Sequence, residues 1–361
     1  MIVTYVYADT KEEWNCAEWR CSVPARAINR TGTHKAYMID IESFVKRSDA
    51  IDQICAESDI IVIQRNLFGP VLATIQHWKA YEKTVIVDFD DAYDLMPAAV
   101  KNYEFWIEGV QKRRGLDNRV VAQKIDPPPL TQFKWGLRLV DAATTPSTRL
   151  AEDWRSFTSI YNVPNYIELD RYIDVKPEAH DWITIGWGGS LTHLQSFKDS
   201  GVLSALRRVC LQRPNVRVMI CSDIRIYEAL NIPEEQKTFN PWVAAVDWPS
   251  QLAQFDIGIA PLAGAYDQRR SWVKALEYLV MRIPWVASDG PPYHQMRSYG
   301  WLVNNTPNAW ERILLDMVDH IDDYKAEAAG EPYLYGIGQG IDENIEKVLS
   351  TYSTIINNGK N

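Results

Sequence analysis

Short apolar runs alternate with segments of helical spacing along almost the whole chain. In the first half, Val3–Ala8, His34–Ile39, Asp59–Gln64, Thr84–Phe89 and Leu139–Thr145 read as strands. In the second half, Trp182–Gly186, Val216–Cys221, Val243–Trp248, Asp256–Ala260 and Pro284–Ala287 do the same. The run DIIVIQ, 59–64, has the continuous apolar character of a strand buried on both faces. Between the strands, Ser43–Cys55, Val71–Tyr81, Leu203–Cys210, Ser271–Met281 and Asn308–His320 carry apolar residues at helical intervals. Such alternation predicts an α/β protein built from parallel crossover units, with ligand loops at the carboxyl ends of the strands. Each half opens with its own strand, so the expected architecture is two doubly wound, Rossmann-like domains facing each other across a cleft. The polar stretch Asp170–Asp181, with Pro177 in it, is the expected linker. Residues 97–137 read as an irregular helical insertion, a lid or an interface, broken at Asp126-Pro127-Pro128-Pro129.

Charge makes one of these crossover units informative. In FDIGIAPLAGAYDQRRSWVKALEYLVMRIPWVASDG, 255–290, a strand, a polar loop, a helix and a second strand follow in order. Arg270, Lys274 and Glu277 stand at i, i+4 and i+7, on one stripe of the predicted helix. Arg269, Arg270 and Lys274 also crowd its amino end, where the macrodipole disfavours cations. That clustering is sensible where an anion such as a diphosphate sits, and Glu277 is then placed to accept hydrogen bonds from hydroxyls of the same ligand. The alternative is an ordinary solvated face. Upstream, Gly186-Trp187-Gly188-Gly189-Ser190-Leu191-Thr192-His193 joins a strand to a helix. Glycines there let backbone N–H groups approach a phosphate, although the spacing is not that of a dinucleotide fingerprint. The same missing fingerprint after the first strand argues against a Rossmann oxidoreductase.

The first half has its own chemistry. Asp88-Phe89-Asp90-Asp91-Ala92-Tyr93-Asp94 puts four carboxylates within seven residues at a strand end, where repulsion raises pKa values or demands a counter-charge. One reading is a helix start with solvated acids. The other is an acceptor-binding or catalytic carboxylate at the sheet edge. The long loop Asp9–Val23, with Trp14, Cys16, Trp19 and Arg20, and the pair Arg65-Asn66 lie at the carboxyl ends of neighbouring strands, so Trp19, Arg20 and Arg65 are candidates for the acceptor side.

The run Pro261-Leu262, Asp267, Arg270-Ser271, Lys274, Glu277-Tyr278, Ile283-Pro284, Val286-Ala287-Ser288 resembles the carboxyl-terminal signature of GT-B glycosyltransferases related to family 4. Gly186 to His193 resembles that family's donor-site turn, and Thr145–Ala151 and Pro164-Asn165-Tyr166 resemble the segments that close its first domain. The resemblance implies a first, acceptor-side domain over 1–172, a nucleotide-sugar donor domain over 173–340, and a helix over 341–361 that crosses back. It assigns Gly188, Gly189, Ser190, His193, Arg270, Ser271, Lys274 and Glu277 to the donor, and Arg269 joins them as one of the cations at the helix start. It also makes Asp90 and Asp91 the preferred carboxylate pair on the acceptor side. The first Glu of the family's E-x7-E pair is absent: Arg269 stands there, and Asp267 is the nearest carboxylate that could act in its place. The implied activity is a hexosyl transfer from a nucleotide-diphosphate sugar, retaining and independent of metal, with no cofactor beyond that co-substrate. The loops Ser222–Arg225 and Val246–Trp248 are expected beside the nucleobase, and Pro291–His294 beside the acceptor. A catalytically lapsed nucleotide- or sugar-binding protein is the alternative, because of Arg269.

Composition narrows the partners. With 46% hydrophobic and 24% charged residues the chain is an ordinary globular protein, and no apolar run is long enough to span a bilayer. Five cysteines without metal-ligand spacing, and an amino terminus that reads as a strand, point to the cytoplasm. The net charge of −9 argues against coating nucleic acid. A glycan, a lipid-linked sugar, a protein or a modified nucleobase all stay open as acceptors.

Overall fold

A computed structural model describes residues 1–9, 15–100, 102–114, 120–177 and 180–359, so Trp14 of the first long loop lies outside the described residues. Residues 1–9, 16–165 and 344–359 form one compact unit and residues 166–343 another.

The first unit holds β1 (Ile2–Tyr7), β2 (Lys35–Asp40), β3 (Ile60–Gln64), β4 (Thr84–Asp88), a hairpin of β5 (Val110–Arg114) and β6 (Val120–Lys124), then β7 (Ala142–Thr145) and β8 (Ile160–Asn162). Its six-stranded sheet runs β2-β1-β3-β4-β7-β8, parallel throughout. β3 and β4 are buried over their full length, as a central strand covered by helices on both faces must be. The expected helix over Ser43–Cys55 is two, Ile41–Lys46 and Asp49–Glu57, parted at Arg47, whose φ of 56° ends the first. Ser147 caps Thr148–Trp154 by accepting from the Leu150 N–H.

The 97–137 insertion is not helical throughout. Tyr103–Trp106 and Pro129–Leu139 are helices, but the antiparallel hairpin β5–β6 stands between them. All five residues of β6 are exposed, so the strand has no buried face to impose an alternating pattern on its sequence.

The second unit holds β9 (Ile183–Gly188), β10 (Val216–Cys221), β11 (Lys237–Asn240), β12 (Ile257–Ala260), β13 (Trp285–Ser288) and β14 (Trp301–Val303). Its sheet order is β11-β10-β9-β12-β13-β14, again all parallel. The strand expected over Val243–Trp248 is absent: the edge strand is Lys237–Asn240, and Trp248 begins a helix to Leu252. Val246 is 69% exposed, so that apolar run has no core to face. Ile185, Trp187, Val218, Ile220, Ile257 and Val286 of the sheet pack with Leu206, Val209, Trp310 and Leu314 of the covering helices. Each fully buried side chain of this size contributes roughly 1.5–3 kcal/mol.

The last helix, Ile341–Asn358, begins in the second unit and belongs to the first from Asn344 onward, where the Tyr352 hydroxyl lies 3.1 Å from that of Tyr5. No helix among the described residues is long and apolar enough to cross a membrane.

Candidate active site

In the second sheet, the chain leaves β9 toward β10 on one side and leaves β12 toward β13 on the other. Such a reversal opens a crevice at the carboxyl ends of the two strands, the usual ligand position in an open α/β sheet. Gly188 is the last residue of β9, and Gly189 follows it. A Cβ at Gly188 would fall inside the Trp248 ring, and one at Gly189 would lie 2.5 Å from Lys274 Nζ. Both positions therefore require glycine. Three carbonyls of the turn are held by side chains. Lys274 Nζ donates to Gly188 O at 2.5 Å, Ser222 Oγ to Gly189 O at 2.5 Å, and Arg225 to Leu191 O. Arg225 is itself fixed by a bidentate pair with buried Asp223.

The helix carrying Lys274 and Glu277 runs from Val273 to Val280, with Trp272, which has no capping oxygen, at its N-cap. Arg270 lies before the helix rather than on it, so the predicted stripe keeps only Lys274 and Glu277. Arg270 reaches the glycine turn by another route. Its Nε donates to Asp267 Oδ1 at 2.8 Å and its Nη2 to Thr192 Oγ1 at 2.7 Å. Asp267 is 3% exposed, and its second oxygen accepts from Ser196 Oγ at 2.5 Å and from Ala263 N at 2.9 Å. Three cations thus reach one turn, Lys274 and Arg225 directly and Arg270 through Thr192.

Burial sets the state of these groups. Lys274 Nζ sits 4.9 Å from the centroid of the buried Trp187 ring. Desolvation pushes its pKa down to about 8; Glu277 opposes that shift and Arg270 adds to it. His193, 5% exposed and edge-on to Trp187, is held well below its ordinary pKa by desolvation, then by Arg270 and Lys274. It is a neutral imidazole, and its buried Nδ1 has no hydrogen-bond partner in the protein. Glu277 is 1% exposed; its Oε1 accepts from Trp248 Nε1 at 2.8 Å and from the Tyr172 hydroxyl at 3.3 Å.

The first unit has a second polar centre. Its sheet reverses between β1 and β3, and Asp9 and Arg65 follow those strands. Arg65 donates to Asp9 Oδ1, and Gln64 Nε2 donates to Asp9 Oδ2 at 2.8 Å. Beside them, after β4, stands half-buried Asp90. Desolvation pushes its carboxyl up to about 6; the Asp91 charge adds to this, while Arg65 and a hydrogen bond from Cys16 oppose it. The Tyr93 hydroxyl is buried nearby without a partner, and the charges acting on it are those of Asp90, Arg65 and Asp91.

No protein-family model and no curated protein matches the chain. Solved structures do. A sucrose-phosphate synthase from Thermosynechococcus elongatus superposes with a TM-score of 0.65 at 10% identity, over 98% of each chain. HepE from Anabaena, in complex with UDP and glucose, gives 0.64 at 11% identity, over 97% of this chain and all of its own. A protein from Listeria monocytogenes assigned as a UDP-N-acetylglucosamine 2-epimerase gives 0.54 at 12% identity, over 96% of this chain and 94% of its own. The fold is GT-B. Identities this low speak for the architecture alone, and the GT-B fold carries more than one chemistry among these neighbours.

Within that fold the expected residues separate into groups. Gly188, Gly189, His193, Arg270, Lys274 and Glu277 come together at the carboxyl end of β9 and the start of one helix. Ser190 is exposed and shares a 2.8 Å hydrogen bond with Thr192, and Ser271 is half-buried beside the helix start. Arg269 turns back to the Ala265 carbonyl, 3.0 Å away at the surface. Asp267, the carboxylate nearest the place of the missing Glu, accepts from Arg270 on one oxygen and from Ser196 and Ala263 on the other. Trp248 is no open stacking surface for a base: it is 4% exposed and tied to Glu277. In the loop 291–294, Tyr293 is buried and His294 pairs with Asp289.

In the first unit, Arg20 is corrected most. Only 6% exposed, it makes a bidentate pair with Asp88 at 2.8 and 2.6 Å and donates to Val163 O and Asn165 Oδ1, both at 2.9 Å. Thr144 Oγ1 also donates to Asp88 at 2.6 Å. Arg20 and Asp88 are therefore a core tie, whereas Arg65 lies at the polar centre with Asp90. Trp19, on the π-helical turn Glu18–Ser22, is half-buried. Ser196 and Tyr172 carry no signal in the sequence, and Thr192, Ser222 and Trp248 fall in the turn and loops expected at the donor but not as the partners of its polar groups. Their partners lie 29 to 105 positions away, or 78, 71 and 33 in the other cases, and no local spacing signals them.

Proposed function

We propose that the chain is a glycosyltransferase that takes a sugar from a nucleotide-diphosphate donor bound in the second unit. The observation that carries this reading is the convergence of Lys274 and Arg270 on the Gly188–Gly189 turn at the sheet's reversal point, with Glu277 buried one turn behind Lys274. The diphosphate lies against the turn and the two cations, and a ribose hydroxyl reaches Glu277. In the reaction the acceptor oxygen bonds to the anomeric carbon as the bond from that carbon to the diphosphate oxygen breaks. The electron pair stays on the diphosphate, which also takes the acceptor's proton. Positioned cations stabilise that leaving group, so no divalent ion is required. Configuration is retained, as the resemblance to family 4 implies. Asp90 and Asp91 hold the acceptor.

A thermal-shift panel of nucleoside diphosphates tests the donor assignment. A ligand at a hundred times its Kd stabilises the native state by about 2.7 kcal/mol. The reading requires that shift with wild-type protein and its loss in Glu277→Ala; no shift with any nucleotide overturns it.

One observation favours a second reading, a binding protein without turnover. Asp267 is committed to Arg270, and Arg269 occupies the place of the family carboxylate, so one of the two expected carboxylates is missing. Nucleotide binding without donor hydrolysis or transfer would establish it.

A further inference from the structure

The loop after β13 holds a polar group that packing leaves unexplained. Pro291–Tyr299 follows β13 as a 3-10 helix, and the Tyr293 N–H donates to Gly290 O at 3.0 Å. Tyr293 therefore sits at the carboxyl end of β13, the strand beside β12. Its ring centroid is 5.8 Å from that of Trp285 at a tilt of 57°, and the residue is only 1% exposed. The ring thus fills the core, a task that phenylalanine would do as well. The hydroxyl is different: it makes no hydrogen bond among the described residues, and it is not sealed from solvent. The neighbouring buried Tyr278 shows the contrast, since its hydroxyl donates to the Ile259 carbonyl on β12 at 3.0 Å.

The groups around that hydroxyl belong to the donor crevice. The charges that act on it are Arg270 and Asp267, and it acts in turn on Tyr278 together with Glu277. Asp267 is not its acceptor, because the carboxylate takes its bonds from Arg270, Ser196 and the Ala263 N–H. Arg270 is the cation that reaches the glycine turn through Thr192. Burial raises the phenol's pKa; Arg270 opposes that shift and Asp267 adds to it. The group therefore stays protonated and offers a neutral O–H. A buried donor of this kind is normally matched by an acceptor, and an anion beside Arg270 supplies one.

We propose that Tyr293 is a further catalytic residue of the donor site, its hydroxyl donating a hydrogen bond to a non-bridging oxygen of the donor's diphosphate beside Arg270. The proposal rests on the transferase reading above. As the bond from the anomeric carbon to the diphosphate oxygen breaks, the electron pair collects on the diphosphate, and the hydrogen bond strengthens with that charge. Tyr293 keeps its proton throughout.

Tyr293→Phe removes the hydroxyl and keeps the ring, so it isolates the proposed bond. Calorimetry on the full chain with UDP, GDP and ADP reads affinity, and phosphorus NMR of the bound nucleotide reads the environment of its phosphates. The nucleotide that binds wild-type protein should bind the variant about tenfold more weakly, the loss of one hydrogen bond to a charged group. Its bound phosphorus resonances should move, and the melting temperature of the free protein should not, because no bond within the protein is lost. Equal affinity in the two proteins overturns the proposal. So does weaker binding with an unmoved phosphorus spectrum, which would place the hydroxyl on another part of the nucleotide. A lower melting temperature of the free variant overturns it too, by giving the hydroxyl a structural role. Failure of wild-type protein to bind any of the three nucleotides would instead strike the transferase reading, and that result is separable because it needs no variant.

Discussion

Lys274 gives the sharpest test of the donor site, because its charge is conditional. The ammonium is buried against Trp187, and its pKa is pushed down to about 8 from 10.5, first by desolvation and then by Arg270, against the opposing pull of Glu277. A bound diphosphate holds the proton on, so nucleotide binding and protonation are linked. With a pKa near 8, about nine-tenths of the free protein carries the charge at pH 7 and about one-tenth at pH 9. Apparent affinity should therefore fall about tenfold, or ~1.4 kcal/mol, across that range. Calorimetry with a nucleotide-diphosphate sugar is the assay, since its phosphodiester groups do not titrate there. Titrations in two buffers of different ionisation enthalpy should show proton uptake rising to about half a proton at pH 8. Lys274→Arg, charged throughout, should abolish the pH dependence. The stability of the free protein should move in the opposite sense to affinity. Between about pH 8 and 10.5 the folded chain has released a proton that the unfolded chain retains, so stability rises with pH through that window. An affinity that stays flat from pH 7 to 9 with no proton uptake would refute the placement of this ammonium under the diphosphate.

Four further outcomes follow from the same geometry. Asp90→Asn should raise stability by about 1–2 kcal/mol at pH 8, because a carboxyl pushed up to about 6 disfavours the folded state once ionised; the gain should vanish below pH 3.8, where Asp90 is protonated in both states. The same variant should lower turnover while leaving nucleotide affinity alone, and a drop in melting temperature at pH 8 would mark Asp90 as a structural cap instead. Glu277→Ala should weaken nucleotide binding and, by stranding the Trp248 indole N–H, cost about 1–3 kcal/mol in chemical denaturation; unchanged affinity by calorimetry would remove Glu277 from the donor site. Arg20→Ala should cost about 3–5 kcal/mol by leaving buried Asp88 uncompensated, and a fully stable variant with altered acceptor use would contradict its place in the core. Transfer activity should survive EDTA, since Lys274 and Arg270 carry the leaving-group charge; loss that added magnesium or manganese restores would assign that role to a metal.

The α/β class and most strand positions could be read from the chain because buried parallel strands leave a signal in their own residues. DIIVIQ and TVIVD have no polar side to show, and two adjacent glycines before a helix mark a place where backbone must come close. Lys274 and Glu277 were also legible, since residues three apart on a helix share a face whatever packs around them, whereas Arg270, expected on the same stripe, lies before the helix. The hairpin β5–β6 and the edge strand β11 were not, because strands without a buried face impose no period on their sequence. The same limit governed the charges. Arg20 and Arg65 both follow strand ends and look alike in sequence, yet Arg20 meets Asp88, 68 positions away, in the core, while Arg65 meets Asp9 at the sheet edge. Asp267 looked like a spare carboxylate until Ser196, Ala263 and Arg270 took both its oxygens. Local spacing determines which face a side chain occupies. Which partner waits there, and so whether a charge is structural or available, is decided by contacts between segments far apart in the chain, and only the folded structure supplies those.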